Sequence, residues 1–164
     1  MTVEINNESG LEADSPGLAR LAEFALSQLR IHPQAELSIL LVDSETMSAY
    51  HEKYMGEPGP TDVLSFPMDE LRIPDDDEEP PLGLLGDIVL CPEVTSRQAA
   101  ANGRTADAEA EYLLIHGLLH LLGFDHAEPE EKAEMFGLKD RILALWDAER
   151  GTRVHGPSGT TPAG

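Results

Sequence analysis

The apolar positions of the chain change period several times, and each change predicts an element. Thr2 to Asn6 alternates as a strand does, and Ser15 with Pro16 then has the chemistry of a helix cap and first turn. Leu18, Leu21, Ala22, Ala25, Leu26 and Leu29 follow at helical spacing, which predicts an amphipathic helix reaching Pro33. Glu36 to Val42 reads as a second strand. Asp43 or Ser44 caps another helix, with Met47, Tyr50 and Tyr54 on one face, and Gly56 to Pro60 ends it.

Thr61 to Met68 (TDVLSFPM) and Leu82 to Leu90 (LGLLGDIVL) are two further short strands. The acidic, proline-bounded segment between them, Pro74 to Pro81, reads as a solvated connection, the alternative being a carboxylate cluster holding a divalent cation. Helical spacing returns from Pro92 to about Asn102 and from Thr105 to Leu122. Pro129 opens a last helix with Met135, Leu138, Ile142, Leu145 and Trp146 as its apolar stripe. No internal repeat is visible, and β-α-β alternations are too few for a doubly wound sheet. The pattern predicts an α+β domain with a small mixed sheet of about four strands packed with about five helices. A chain of 164 residues fits one domain, assigned to 1–150. The segment 151–164, rich in Gly, Pro, Ser and Thr, is expected to be a disordered tail, and His155 within it receives no role.

Charge narrows the range of partners. Thirty-one acidic residues against 11 basic ones give a formal charge of -20, which repels phosphate backbones at long range. Nonspecific nucleic-acid binding and DNA are disfavoured, while a local basic cleft or docking through a protein partner stays open. The single cysteine, Cys91, has no partner for an internal bridge and suits a reducing compartment. Met1 to Asp14 is polar and lacks the apolar core of a secretion signal, and the longest nearly apolar stretch, Leu113 to Phe124, falls short of the ~20 residues that span a bilayer. The expected location is the cytoplasm, away from membranes.

The candidate chemistry lies in that same stretch, where residues 116 to 126 read HGLLHLLGFDH. His116 and His120 are four apart in a helical run, so both imidazoles leave one face a turn apart. Gly123 follows at the helix end, where glycine tolerates the left-handed conformation that reverses a chain, and the reversal can return His126 as a third ligand. Three protein ligands leave a fourth position for water, which distinguishes a catalytic zinc site from a closed structural one. One zinc per chain is therefore expected. The bland alternative, three core histidines satisfied by hydrogen bonds, needs buried polar partners that the neighbouring Leu and Gly side chains do not supply. The ligand spacing and the glycine also match the metzincin pattern H-E-x-x-H-x-x-G-x-x-H, a zincin-like metal helix. Gly117 occupies the place of its general-base glutamate, so a peptidase is the weaker reading.

Residues 116 to 126 resemble the H-G-x-L-H-L-x-G-[YF]-D-H signature of the YbeY-type endoribonucleases, bacterial metalloproteins linked to ribosomal RNA maturation. The resemblance extends to PTDVLSFP (Pro60 to Pro67) and LLGDIVLC (Leu84 to Cys91) in the same order, and covers the chain from about Glu36 to Trp146. It implies an α+β fold, zinc on His116, His120 and His126, and action on single-stranded RNA near the 3′ end of small-subunit ribosomal RNA. The small subunit or its proteins are the implied partners. The family often carries an arginine just before the TDVLSFP segment as a candidate phosphate clamp, and here that position is Met55, with Lys53 or Arg97 as substitutes. Asp125 either orients an imidazole or acts as the base, against a plain turn role. Thr61, Asp62 and Ser65 are substrate-binding candidates, although Asp62, like Asp87, would equally serve a turn. A different class of function stays open beside the nuclease: a ribosome-assembly factor whose zinc braces the fold.

Overall fold

The alternation in Glu36–Leu41 becomes strand β2, with Leu37, Ile39 and Leu41 buried. Residues 2–125, 128–152 and 154–155 are described by the structure, a computed structural model. The elements in chain order are β1 (Thr2–Asn7), α1 (Ser15–Gln28), β2, α2 (Ser44–Met55), β3 (Val63–Pro67), β4 (Leu84–Leu90), α3 (Pro92–Ala101), α4 (Ala106–Leu121) and α5 (Pro129–Arg150). β2 runs parallel to β1 on one side, Ile5 opposite Ile39, and parallel to β4 on the other, Ile39 opposite Ile88. β3 completes the order β1-β2-β4-β3 and is antiparallel to β4, with Ser65 opposite Ile88. The mixed four-stranded sheet and five helices are the α+β architecture the periodicities predict.

The two faces of the sheet are covered unequally. Leu37, Ile39, Leu41, Ile88 and Leu90 point into the main core with Leu18 and Leu21 of α1, Leu114 and Leu118 of α4, and Met135 and Ile142 of α5. Each such side chain stabilises the fold by about 1.5–3 kcal/mol relative to exposure. The opposite face holds a smaller cluster of Val42, Met47, Leu64, Val89, Cys91 and Val94. β3 is therefore an edge strand with the deep core on one side of it, and α4 lies on that side.

α1 stops at Gln28, earlier than the predicted Pro33. Its end is a left-handed reversal in which Arg30, at φ 59°, donates its N–H to the Ser27 carbonyl while Ile31 donates to Leu26. A non-glycine residue in that conformation costs roughly 1–2 kcal/mol. The Arg30 side chain offsets part of this by donating to the carbonyls of Asp75 at 2.8 Å and Glu78 at 3.0 Å, so the acidic connection is tied to the end of α1.

The assignment of 151–164 to a free tail requires a correction for its first residues. Gly151, at φ 76°, reverses the end of α5, and Val154 and His155 both donate their N–H to Oδ2 of Asp147. The His155 ring meets Glu111 Oε1 at 2.7 Å, and Arg150 bridges Glu111 to Asp147. Burial, the largest influence on Glu111, pushes its carboxyl up, but the His155 and Arg150 contacts outweigh it and hold the group below the usual glutamate value. Residues 156–164 lie outside the described residues. No helix among the described residues is long and apolar enough to cross a membrane.

Candidate metal centre

The Thr105 hydroxyl accepts the Ala108 N–H at the start of α4, and Asp107 and Glu109 occupy the first turn, where the helix dipole favours acids. Leu114, Leu118 and Leu121 anchor the helix in the core. Gly117 lets it approach the sheet closely. A Cβ there would stand 3.0 Å from Ser65 Oγ and 3.2 Å from both Ile88 Cγ2 and Val63 Cγ2. Ser65 Oγ donates to the Gly117 carbonyl at 3.0 Å, which ties the middle of β3 to the backbone beside His116. The position that carries a glutamate in metzincins thus faces the sheet, and a long side chain has no room there.

His116 and His120, both half-buried, bring their Nε2 atoms to 3.1 Å of each other, with ring centroids 4.7 Å apart. Two nitrogens at ~2.0–2.1 Å from a tetrahedral zinc are separated by about 3.3 Å, so the pair has the spacing of one edge of such a site. Lys139 of α5 stands behind His116, its Nζ 3.2 Å from Nδ1 and about 4 Å from the Tyr112 and Phe136 ring centres, at 4.0 and 4.1 Å. Burial pushes the Lys139 amine below the ordinary lysine value, and its contact with Tyr112 works against that shift. His116 offers Nε2 to a metal when Nδ1 carries the ring proton and donates it to an uncharged Lys139 amine, the form that burial favours.

The reversal after α4 has the same pattern as the one after α1. Gly123, at φ 96°, donates to the His120 carbonyl, and Phe124 donates to Leu119. Asp125 is exposed, and its N–H is held at 2.7 Å by Glu131 Oε1. His126, the third histidine of the motif, lies outside the described residues. Among the described residues no set of three His, Cys, Asp or Glu side chains gathers around one point.

The remaining candidates separate. Asp62 Oδ1 accepts the Val63 N–H at 2.8 Å and the Thr61 hydroxyl at 3.3 Å, so both side chains are used in starting β3. Ser65 is used in docking α4. Asp87 sits on the sheet face away from α4, beside Tyr50, Tyr54 and Phe66 in a cavity of about 530 Å³. Met55 is exposed at the end of α2, and Lys53 lies over the Tyr54 ring, 5.1 Å from its centre. Two residues near the histidines were missed from the sequence. Lys139 follows Met135 by four and precedes Ile142 by three, a place on the apolar stripe that was itself a signal of burial. Arg72, whose guanidinium carbon lies 2.6 Å from where a Cβ of Gly123 would stand, gave no local signal.

Fold and site together define the class: a small α+β protein with two histidines presented from one helix face. The family described as Endoribonuclease YbeY matches residues 4–147, and the chain belongs to this family. An Endoribonuclease YbeY of Cutibacterium acnes is 72% identical over 90% of this chain and 96% of its own length. Another from Streptomyces griseus is 53% identical over 99% of this chain and 98% of its own. The solution structure of TM1509 from Thermotoga maritima aligns over 97% of this chain and 99% of that one with a TM-score of 0.56 at 20% identity, a likeness of fold.

Proposed function

We propose that this chain is a zinc-dependent, single-strand-specific endoribonuclease of ribosomal RNA maturation and ribosome quality control, acting in the cytoplasm near the 3′ end of small-subunit RNA. The observation that carries the metal reading is the 3.1 Å separation of the two Nε2 atoms on one face of α4. Family membership carries the reaction class. His116 and His120 would hold the ion, with His126 as the third ligand. Zinc, when bound, supplies a Lewis acid for a phosphoryl oxygen or lowers the pKa of a coordinated water toward ~7. Lys139 fixes the ring of His116, and Ser65 fixes the depth at which α4 sits on β3. Asp125, next to the third histidine, is the candidate for orienting an imidazole or taking a proton, and Thr61, Asp62 and Ser65, just before and in the middle of β3, are the candidates for meeting RNA.

A second reading is favoured by Met55, which leaves the usual clamp position without charge, and by the net charge of -20: a ribosome-assembly factor braced by zinc. The His126→Ala variant separates the two. The nuclease reading expects loss of cleavage of a single-stranded ribosomal RNA fragment with a nearly unchanged thermal midpoint. A brace expects the midpoint to collapse with the zinc.

A further inference from the structure

Three arginines meet in one groove that begins where the histidine helix ends. A cavity of about 690 Å³ runs between the end of α1, the β3–β4 connection, the reversal after α4 and the outer face of α5, and Arg30, Arg72 and Arg141 line it. Ion pairs among the described residues use Arg104 and Arg150, together with His51 and His155, and none uses these three. Arg72 Nη1 donates to the carbonyls of Glu70 and Leu71, at 3.0 and 3.2 Å, and Arg30 donates to those of Asp75 and Glu78. Those acceptors orient the guanidinium groups without neutralising them. Arg30 is held in place even though its backbone takes the left-handed conformation, and Arg72 rests on Gly123 because that residue has no Cβ. The groove thus gathers three of the chain's 11 basic residues, two of them oriented by backbone carbonyls and none in an ion pair among the described residues.

We propose that this groove is a phosphate track for the RNA strand, in which Arg72, lying against Gly123 three residues past His120, takes the phosphodiester nearest the cleavage site and Arg30 and Arg141 take those further out. Guanidinium suits the task because its planar fork donates two hydrogen bonds to one phosphate. Asp75, Asp76, Glu131 and Glu134 line the same groove, so its summed field does not attract polyanions from a distance. Binding depends on direct contact, with Glu131 already committed to the Asp125 N–H. The track supplies the cation that position 55 lacks. The proposal rests on the endoribonuclease reading and deepens it.

The test is steady-state cleavage of a fluorescent single-stranded RNA by the zinc-loaded protein across a potassium chloride series, with anisotropy of the same RNA measured alongside. Each phosphate neutralised contributes a slope of ~0.7 in log affinity against log salt for a single strand, so three contacts predict about 2. Arg72→Gln is expected to raise KM about 5- to 10-fold, to change kcat less than about 2-fold and to lower the slope by ~0.7, at unchanged zinc content and thermal midpoint. Arg72→Lys should restore the slope and only part of the KM. Arg141→Gln, on an exposed helix face, should lower the slope equally and decides the matter if Arg72→Gln folds poorly. Arg20→Gln, outside the groove on α1, should do neither. Unchanged KM and slope in Arg72→Gln and Arg141→Gln, or equal losses in Arg20→Gln, would overturn the proposal. A wild-type protein that retains RNA in anisotropy with the predicted slope but never cleaves it sinks the nuclease reading and leaves the track standing.

Discussion

Lys139 Nζ lies 3.2 Å from His116 Nδ1, joining α5 to the helix that presents the histidine pair. Partners behind a ligating imidazole orient it, and their loss typically costs 10- to 100-fold in metal affinity. Lys139→Met keeps the length and apolar body of the side chain between Tyr112 and Phe136 while removing the amine. Zinc affinity, measured by chelator competition, should fall about 10-fold or more. The midpoint of the metal-free protein should change little, because relief of the buried amine's desolvation offsets its lost contacts with His116 and the two rings. Unchanged zinc affinity would remove Lys139 from the site.

Gly117 sets how closely α4 approaches the sheet, and Gly117→Ala tests that contact. The added Cβ meets Ser65 Oγ, Ile88 Cγ2 and Val63 Cγ2, at 3.0 to 3.2 Å. Overpacking of this kind costs about 1–3 kcal/mol, which exceeds the gain of up to ~1 kcal/mol that alanine brings to a helix interior. Chemical denaturation should show net destabilisation, partly relieved in the double variant with Ser65→Gly. An alanine variant as stable as wild type would mean that the helix sits further from β3.

Glu111 links acid sensitivity to the docking of residues 154 and 155. Its folded value is depressed, so the stability it contributes is fully present above the unfolded value near 4.5 and is lost as pH falls through the lowered folded value. Glu111→Gln should therefore lower the thermal midpoint by a constant amount above about pH 5, and the difference should shrink below about pH 4. A difference that grows on acidification contradicts the ion-pair account.

Local periodicity explains what the sequence made legible. The strands, the helices and the shared face of His116 and His120 follow from repeats of 2 and 3.6 residues, which act within a few positions and leave a mark in the order of side chains. What remained hidden depends on contacts between distant segments. α1 ends before Pro33 because Arg30 adopts a left-handed backbone while its side chain holds carbonyls 45 and 48 residues away. Arg72 reaches Gly123 across the sheet connection, and His155 reaches Glu111 from 44 residues away, which no spacing rule foresees. Asp62 illustrates a different limit. Its place in a family-like motif fits substrate binding and turn formation equally, and the fold uses its side chain on the Val63 N–H.

The central claim is that the imidazoles of His116 and His120 form one edge of a zinc site on which RNA cleavage depends. Elemental analysis of the purified chain, paired with a cleavage assay of the same samples, tests it most directly. The account predicts about one zinc per chain, close to none in His116→Ala/His120→Ala, and cleavage that disappears with the metal and returns on adding zinc to chelator-treated wild type. Full cleavage by the metal-free chain, or a double variant that keeps its zinc, would contradict it.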